Sequence, residues 1–437
     1  MRHFVLPCLG AVLVLGGPLT AQDSGLIDPT ATQVTLDDAI ERALRRSPQM
    51  AQSEQSVLNA HDSRLTAVGS FLPSLSTSSS MSIRPGGERF DQTLQELISG
   101  NSKSYSAGLS SSMTLFRGGQ RFSDYRRTAK DIDAAEARRD DQRFAVELQT
   151  KQFFFSGLEQ EELLEVARAR LDQAEQSFEI TKTRFIGQEA TASDTLRARL
   201  EVINSRQGVL TNESNLRAAR FALGRQIGLS EPVIPLSPGN LDPSSLPMSE
   251  PEMIQLAENA SPSVIATEAA RESAEASFSS AKAVWLPTVS TNGSYSWSNQ
   301  QFGLDGGRTT WSLGFSMSYP IFNGFNRESS ISRADNAVQV ARLQDDDARL
   351  AARQEVDAAL RALETAERAI GIAGEAVAVA EEDLRITRIR YRESVAIILD
   401  VVTSQIALDQ ARVDLVTSRF DYVIARAQLE AVLGRSL

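Results

Sequence analysis

Trp311-Ser312-Leu313-Gly314-Phe315-Ser316-Met317-Ser318-Tyr319-Pro320-Ile321-Phe322 alternates through Ile321 without a break, large apolar residues at the odd places and Ser, Gly or Pro at the even ones. A period of two sends these sets to opposite faces of a strand. Tyr105 to Leu115 repeats the pattern, with Tyr105, Ala107, Leu109, Met113 and Leu115 against Ser106, Gly108, Ser110, Ser112 and Thr114. Leu286 to Ser298 sets Val289, Tyr295 and Trp297 against Ser290, Asn292, Ser294, Ser296 and Ser298. Leu75 to Ile83 carries the weakest version, Leu75, Met81 and Ile83 among serines.

Two readings share this pattern: a half-buried soluble sheet, and membrane strands with lipid on one face and water on the other. Three details favour the membrane. The segments have about the length a tilted membrane strand needs. Aromatics gather at their ends, with Tyr105, Trp297 and Trp311 toward one end and Phe71, Phe116, Trp285, Tyr319 and Phe322 toward the other, as in two interfacial girdles. The polar face is Ser, Gly, Thr and Asn and lacks the charges of a water-exposed sheet. Four strands cannot close a barrel, and an open edge cannot sit in hydrocarbon, so several copies must share one.

The rest reads as helix. No proline interrupts Gly119–Phe185 or Asn326–Tyr391, and helices of that length run to the order of 100 Å. Such a helix needs partners along its length. A heptad supplies them in Leu164, Leu171, Phe178 and Phe185, with Ala167, Ala174 and Thr181 three places on. Ile370, Val377, Leu384 and Tyr391 with Ala373, Ala380 and Thr387 form its copy. Shorter helices are expected over Pro48–Ser70, Thr191–Ile227, Pro262–Val284 and Ile397–Leu433, the first and third opened by Ser-Pro. Thr35-x-x-Asp38 and Ser249-x-x-Glu252 read as capping-box starts of helices before them.

Everything therefore occurs twice. Pro48, Pro73 and Trp285-Leu286-Pro287 set an offset of 214 residues (Pro48 to Pro262) in the first part of each copy. From Phe116/Phe322 through Arg184/Arg390 and Asp194/Asp400 to Gly228/Gly434 the offset is 206. The difference falls between Pro73 and Phe116, where a longer loop in the first copy is expected. The reading divides the chain into a signal peptide (1–21), an N-terminal extension (22–34), a first repeat (35–230, strands 73–84 and 104–116), a Pro/Ser-rich linker (231–248) and a second repeat (249–437, strands 286–299 and 310–322).

Composition excludes much. Met1-Arg2, the apolar run Phe4–Leu15 and Leu19-Thr20-Ala21 read as a cleaved export signal. The one cysteine, Cys8, lies inside it, so the mature chain has no thiol for disulfides or metal. His61 stands alone, and no catalytic triad, P-loop or cofactor motif is present. The net charge of −11 speaks against nucleic acid. The scattered methionines give no soft-metal relay.

Taken together, the duplicated modules, Leu-Pro before the first strand of each, Phe116-Arg117-Gly118-Gly119 and Phe322-Asn323-Gly324 before each long helix, and Arg184-Phe185…Asp194 with Arg390-Tyr391…Asp400 resemble the TolC family of outer-membrane efflux and secretion channels, over residues 34–437. The resemblance implies a mostly α fold with a β-barrel contribution: four strands per chain, a homotrimeric 12-stranded barrel, and a periplasmic coiled-coil tunnel. It implies outer-membrane lipid as surroundings. The expected partners are a periplasmic adaptor and an inner-membrane pump of RND, ABC or MFS type. Adaptor-contact tips map to Ile186, Gly187, Gln188, Glu393, Ser394 and Val395. The family's tip glycine is replaced by Gln188 and Ser394, with Gly187 one residue early in the first copy. The pore constriction maps to Asp400, with Asp194 and Thr403 as further candidates, and the interface aromatics are Tyr105, Trp285, Trp297, Trp311 and Tyr319. Each aspartate is also what a helix start favours by its dipole. The competing function is a non-transporting coiled-coil surface protein or adhesin anchored by the strands.

Overall fold

The computed structural model describes residues 32–84, 89–91, 96–98, 102–239, 241–303 and 305–437. The expected signal peptide and Cys8 lie outside them.

Two helices of 67 residues each, α3 (Gln120–Ile186) and α7 (Asn326–Arg392), carry the architecture. Part of the expected heptad is buried in the chain: Leu164, Ala167, Ala174 and Thr181 on α3, and Ala373, Leu384, Thr387 and Tyr391 on α7, while Leu171, Phe178, Ile370, Val377 and Ala380 are half-buried and Phe185 is exposed. Small Ala and Thr at the second core place let the neighbouring helix come close. The partners are shorter. α1 (Leu36–Arg46) and α2 (Pro48–Gly69) precede the first strand of the large sheet, and α4 (Ala192–Gln226) returns from the far end of α3. α5 (Glu250–Ala260), α6 (Pro262–Lys282) and α8 (Ile398–Leu433) do the same in the second copy. α3 packs against α2 and α4 of its own copy and against α6 and α8 of the other. Ser47 and Ser261 cap the helices that open on Pro48 and Pro262, accepting from Met50 and Val264 N–H at 3.1 and 3.3 Å.

Each copy has a core where its short helices meet the middle of the long one. Ala39, Ala43, Met50, Val146, Phe154, Leu223 and Ile227 build the first. Met253, Ala257, Val264, Ala352, Leu360, Leu429 and Leu433 build the second, and they are the same places under the two offsets. Ala39 against Met253 and Phe154 against Leu360 show bulk trading places while the cluster stays filled.

Four strands form one antiparallel sheet in the order β2 (Ser74–Arg84), β5 (Ser102–Arg117), β7 (Thr288–Asn299), β8 (Arg308–Ser318). The two hairpins share a register: Met81 faces Tyr105 in one, and Tyr295 faces Trp311 in the other. Between them, β5 pairs with β7 through Leu109↔Tyr295 and Ser110↔Ser294, with a bulge at Thr114/Phe116. The sheet is open, with β2 and β8 as its edges.

Three elements differ from the sequence reading. The last strand, expected to reach Phe322, stops at Ser318, because Pro320 has no N–H to give a ladder. The extension and the linker are not featureless: β1 (Thr32–Val34) pairs in parallel with β6 (Val233–Pro235), and Val34 and Val233 enter the first core. The longer first loop holds a second small ladder, β3 (Arg89–Asp91) with β4 (Glu96–Ile98).

Phe154 is fully buried at the centre of the first core. Phe154→Ala should destabilise the protein by about 3–5 kcal/mol, read as a lowered unfolding midpoint of the purified protein in detergent.

Candidate functional site

The sheet presents two chemically opposite faces. Trp311, Leu313, Phe315 and Met317 are 63–78% exposed on one side, and Leu75, Met81, Ile83, Leu109 and Tyr295 continue that apolar surface across the ladder. On the other side hydroxyls pair across the strands: Ser74–Ser112 at 2.8 Å, Ser76–Ser110 at 2.7 Å, Ser80–Ser106 at 2.8 Å, Ser290–Ser316 and Ser294–Ser312 at 2.9 Å, and Ser296–Thr310 at 2.8 Å. Among the described residues no helix is long and apolar enough to cross a membrane.

The five aromatics fall at the two ends of the sheet. Tyr105, Trp297 and Trp311 stand at the loop end of the sheet, while Trp285 precedes β7 and Tyr319 follows β8. At the helix end each copy stacks an arginine from the long helix on the aromatic ahead of Leu-Pro. Arg121 lies 4.5 Å from the Phe71 ring centre and Arg327 3.7 Å from that of Trp285.

At the opposite end the two helical hairpins turn. Glu189 N–H reaches the Arg184 carbonyl (2.8 Å) and Gln188 N–H that of Phe185 (3.0 Å). Val395 and Ser394 repeat this onto Arg390 (2.8 Å) and Tyr391 (3.1 Å). This double closure of a helix end places its central residue in the left-handed region, and Gln188 (φ 64°) and Ser394 (φ 60°) are those residues. Gly187, at φ −74°, sits in ordinary right-handed geometry and does not take over the tip glycine's role. Both tips therefore carry side chains where glycine is the unstrained choice, and Ile186 and Val395 beside them are 75% and 66% exposed.

The two aspartates past the tips are not equivalent. Asp194 completes a capping box: its carboxylate accepts from Thr191 N–H (3.1 Å) and from the Thr191 hydroxyl (2.7 Å), which in turn accepts from Asp194 N–H (3.2 Å). Asp400 follows Ile397, which has no side-chain acceptor to offer. Among the described residues its carboxylate takes only the Ile397 N–H (3.1 Å), and the residue is exposed. Thr403, one turn on, is exposed and donates to the Leu399 carbonyl at 2.9 Å.

A link that sequence reasoning missed joins the tips. Arg184 of the first hairpin donates to the Tyr391 carbonyl and to the Ser394 hydroxyl (2.7 Å), and it stacks 4.6 Å from the Tyr391 ring centre. The Thr181 hydroxyl meets that of Tyr391 at 3.3 Å. Tyr391 is consequently 8% exposed, whereas Phe185, at the same place in the first copy, is 45% exposed. Arg390 matches Arg184, yet it is exposed and has no side-chain partner among the described residues. The signal was present as Arg-aromatic at both tips.

The family model for outer membrane efflux proteins matches residues 39–229 and 253–435, one stretch in each copy. The chain belongs to that family. Nodulation protein T of Rhizobium leguminosarum bv. trifolii is 22% identical over 276 residues, which span 62% of this chain and 59% of that protein, less than two thirds of its length. Among solved structures, the outer membrane protein VceC of Vibrio cholerae superposes with a TM-score of 0.73 at 18% identity, covering 92% of this chain and 96% of that one. The open state of the MtrE outer membrane channel of Neisseria gonorrhoeae gives 0.74 at 21% identity, covering 92% and 89%. At such identities these two speak for the fold. An outer membrane efflux protein resides in the outer membrane with its large helical part in the periplasm, and this family and fold are those of channel proteins rather than enzymes.

Gln188 makes no side-chain hydrogen bond among the described residues and holds a left-handed backbone at a cost of roughly 1–2 kcal/mol. Gln188→Gly relieves that cost against the greater freedom of glycine in the unfolded chain. It should slow amide exchange at 186–191 by up to about fivefold, a gain of about 1 kcal/mol, measured by hydrogen–deuterium exchange.

Proposed function

We propose that this chain is the outer-membrane exit duct of a tripartite efflux pump or type I secretion system, three copies of it passively conducting substrates outward from an inner-membrane transporter. The observation that carries the reading is the open, two-faced sheet. Unpaired edges on β2 and β8 are untenable in hydrocarbon, and a second copy offers the complementary edge. Two chains would give an eight-stranded barrel, which side chains fill, whereas three give twelve strands and room for a channel.

The duplication supplies the register of that closure. Because both hairpins share one register under the 214 and 206 offsets, the seam between β5 and β7 is a template for β8 against the next copy's β2. Leu109↔Tyr295 becomes Phe315 against Met81, and Ser110↔Ser294 becomes Ser316 against Ser80. Leu313 and Phe315 then meet Ile83 and Met81 on one face, and Ser316 and Ser318 meet Ser80 and Ser78 on the other, a match that a register slip of one residue would destroy. The same reasoning makes each repeat, 35–230 and 249–437 across the 231–248 link, one of six similar units around the assembly.

The exposed tips at Ile186, Gly187, Gln188, Glu393, Ser394 and Val395 are the surface for a periplasmic adaptor, which would join the duct to a pump of RND, ABC or MFS type. In a closed ring of three, Asp400 becomes three carboxylates at one level, a constriction favouring cations. Its single hydrogen bond leaves it freer for this than Asp194, and Thr403 lies one turn behind.

Two measurements test the reading. Ser80→Cys with Ser316→Cys should form covalent trimers on oxidation, and Ser80→Cys with Met317→Cys far fewer. A conducting trimer in planar bilayers should gain conductance, or lose divalent-cation block, on Asp400→Ala. Absence of cross-linked trimers overturns the shared barrel, and unchanged conductance and block overturn the role of Asp400.

A further inference from the structure

A charged cluster lies where α8 of the second copy meets the α3–α4 hairpin of the first. Asp409 on α8 is 4% exposed, and neither of its carboxylate oxygens has a hydrogen-bond donor among the described residues. The nearest cation is Arg170 on α3, its Nε 3.3 Å away. Arg170, however, is already committed: its Nε and Nη2 both donate to Glu201 on α4, at 3.1 and 2.7 Å. Glu201 is 7% exposed and also accepts weakly from the Ser205 hydroxyl at 3.4 Å. One guanidinium thus serves two buried carboxylates. A cavity of about 310 Å³ lined by Ala167, Arg170, Ser205, Gly208, Ile406 and Asp409 adjoins them.

Two further arginines approach and neither neutralises Asp409. Arg412, one turn along α8, is held by Glu381 of α7 at 2.8 Å. Arg388 of α7 donates to Gln173 at 3.4 Å, and burial together with Arg392 and Arg412 lowers its own affinity for a proton. Burial pushes the Asp409 carboxyl up to about 6 against the opposing pull of Arg170 and Arg412, with Glu201 adding to the rise.

Under the 206 offset Arg170 corresponds to Ala376, Glu201 to Ala407, Ser205 to Ala411 and Asp409 to Ile203. The charges are thus absent from the corresponding places, where Ala376, Ala407 and Ile203 are exposed in the single chain, and buried ion clusters are commonly replaceable by apolar residues without loss of stability.

We propose that Asp409 is a proton-operated latch: a proton held there lets α8 seat against the α3–α4 hairpin, and its release into the adjoining cavity, leaving a second buried charge on Arg170 beside that of Glu201, loosens that seam. The direction follows from a folded-state affinity above that of a free carboxyl. The stabilisation is complete below about pH 4 and is lost as pH rises through about 6. Asp409 lies nine residues from Asp400 on one unbroken helix, about 14 Å along its axis. Resting on the duct reading, the consequence is that acid holds the constriction end more firmly shut than neutral pH does.

The test is thermal unfolding of the purified full-length protein in detergent across pH 5–7.5, comparing the unaltered chain with Asp409→Asn, which keeps the shape and cannot ionise. Burial also raises Asp141, Glu159 and Glu162, so the difference between the two proteins is the readout. Asp409→Asn should gain roughly two degrees over the unaltered chain as pH rises from 5 to 7.5, the step levelling off just above pH 6. Glu201→Gln, which removes the repulsion and frees Arg170, should move the chain's own step to lower pH. A difference curve without a step overturns the latch. If Asp409→Asn does not assemble, an unmoved step in Glu201→Gln overturns it. Unfolding is read without any current, so a protein that does not conduct overturns the duct and leaves the latch standing.

Discussion

Hydrocarbon offers no partner to a backbone N–H or C=O, and that constraint governs this molecule. A four-stranded sheet with apolar residues on one face and hydroxyls on the other satisfies its interior and leaves two edges wanting. The rest of the chain is arranged around that deficit. Each hairpin is flanked by proline-started helices on one side and a 67-residue helix on the other, so the helical part inherits the spacing and direction of the strands. The aromatic under its arginine at each junction, Phe71 under Arg121 and Trp285 under Arg327, ties the strand end to the first turn of the long helix.

Duplication lets one solution serve twice, and the departures from it are informative. Where the copies agree, as in the cores around Phe154 and Leu360, volume is conserved while identity drifts. Where they disagree, a chemical group exists on one side only. Tyr391 is covered by Arg184 while Phe185 stays open, and the Arg170–Glu201–Asp409 cluster faces Ala376, Ala407 and Ile203 in the other frame. Those differences sit on the seams between hairpins rather than within them.

The strands were legible because the large apolar residues keep to one face, so a period of two survives even in the serine-rich β2, where Thr77 and Ser79 dilute that face. The long helices were legible because heptads and the absence of proline act over many turns. The end of β8 was misplaced because the side-chain alternation runs on past Pro320 while the hydrogen-bond ladder does not. β1 and β6 are three residues each and pair across about 200 positions, which leaves no local trace. At the tips the residues were found, but their conformation was not: Gly187 drew attention as a glycine, although the left-handed place belongs to Gln188. Asp194 and Asp400 looked alike in sequence. Only the residue three places earlier, Thr191 or Ile397, separates a fully engaged carboxylate from a freer one.

The paired hydroxyls of the sheet have a consequence of their own. Ser74, Ser76, Ser80, Ser290, Ser294 and Ser296 spend their hydrogen bonds on the strand beside them. Each pair uses one of its two O–H donors and leaves the other to water, so the middle of this face is wet and offers no apolar side chain to hold a passing molecule. If this face lines the proposed duct, it favours passage over retention and leaves discrimination to width and to the far end.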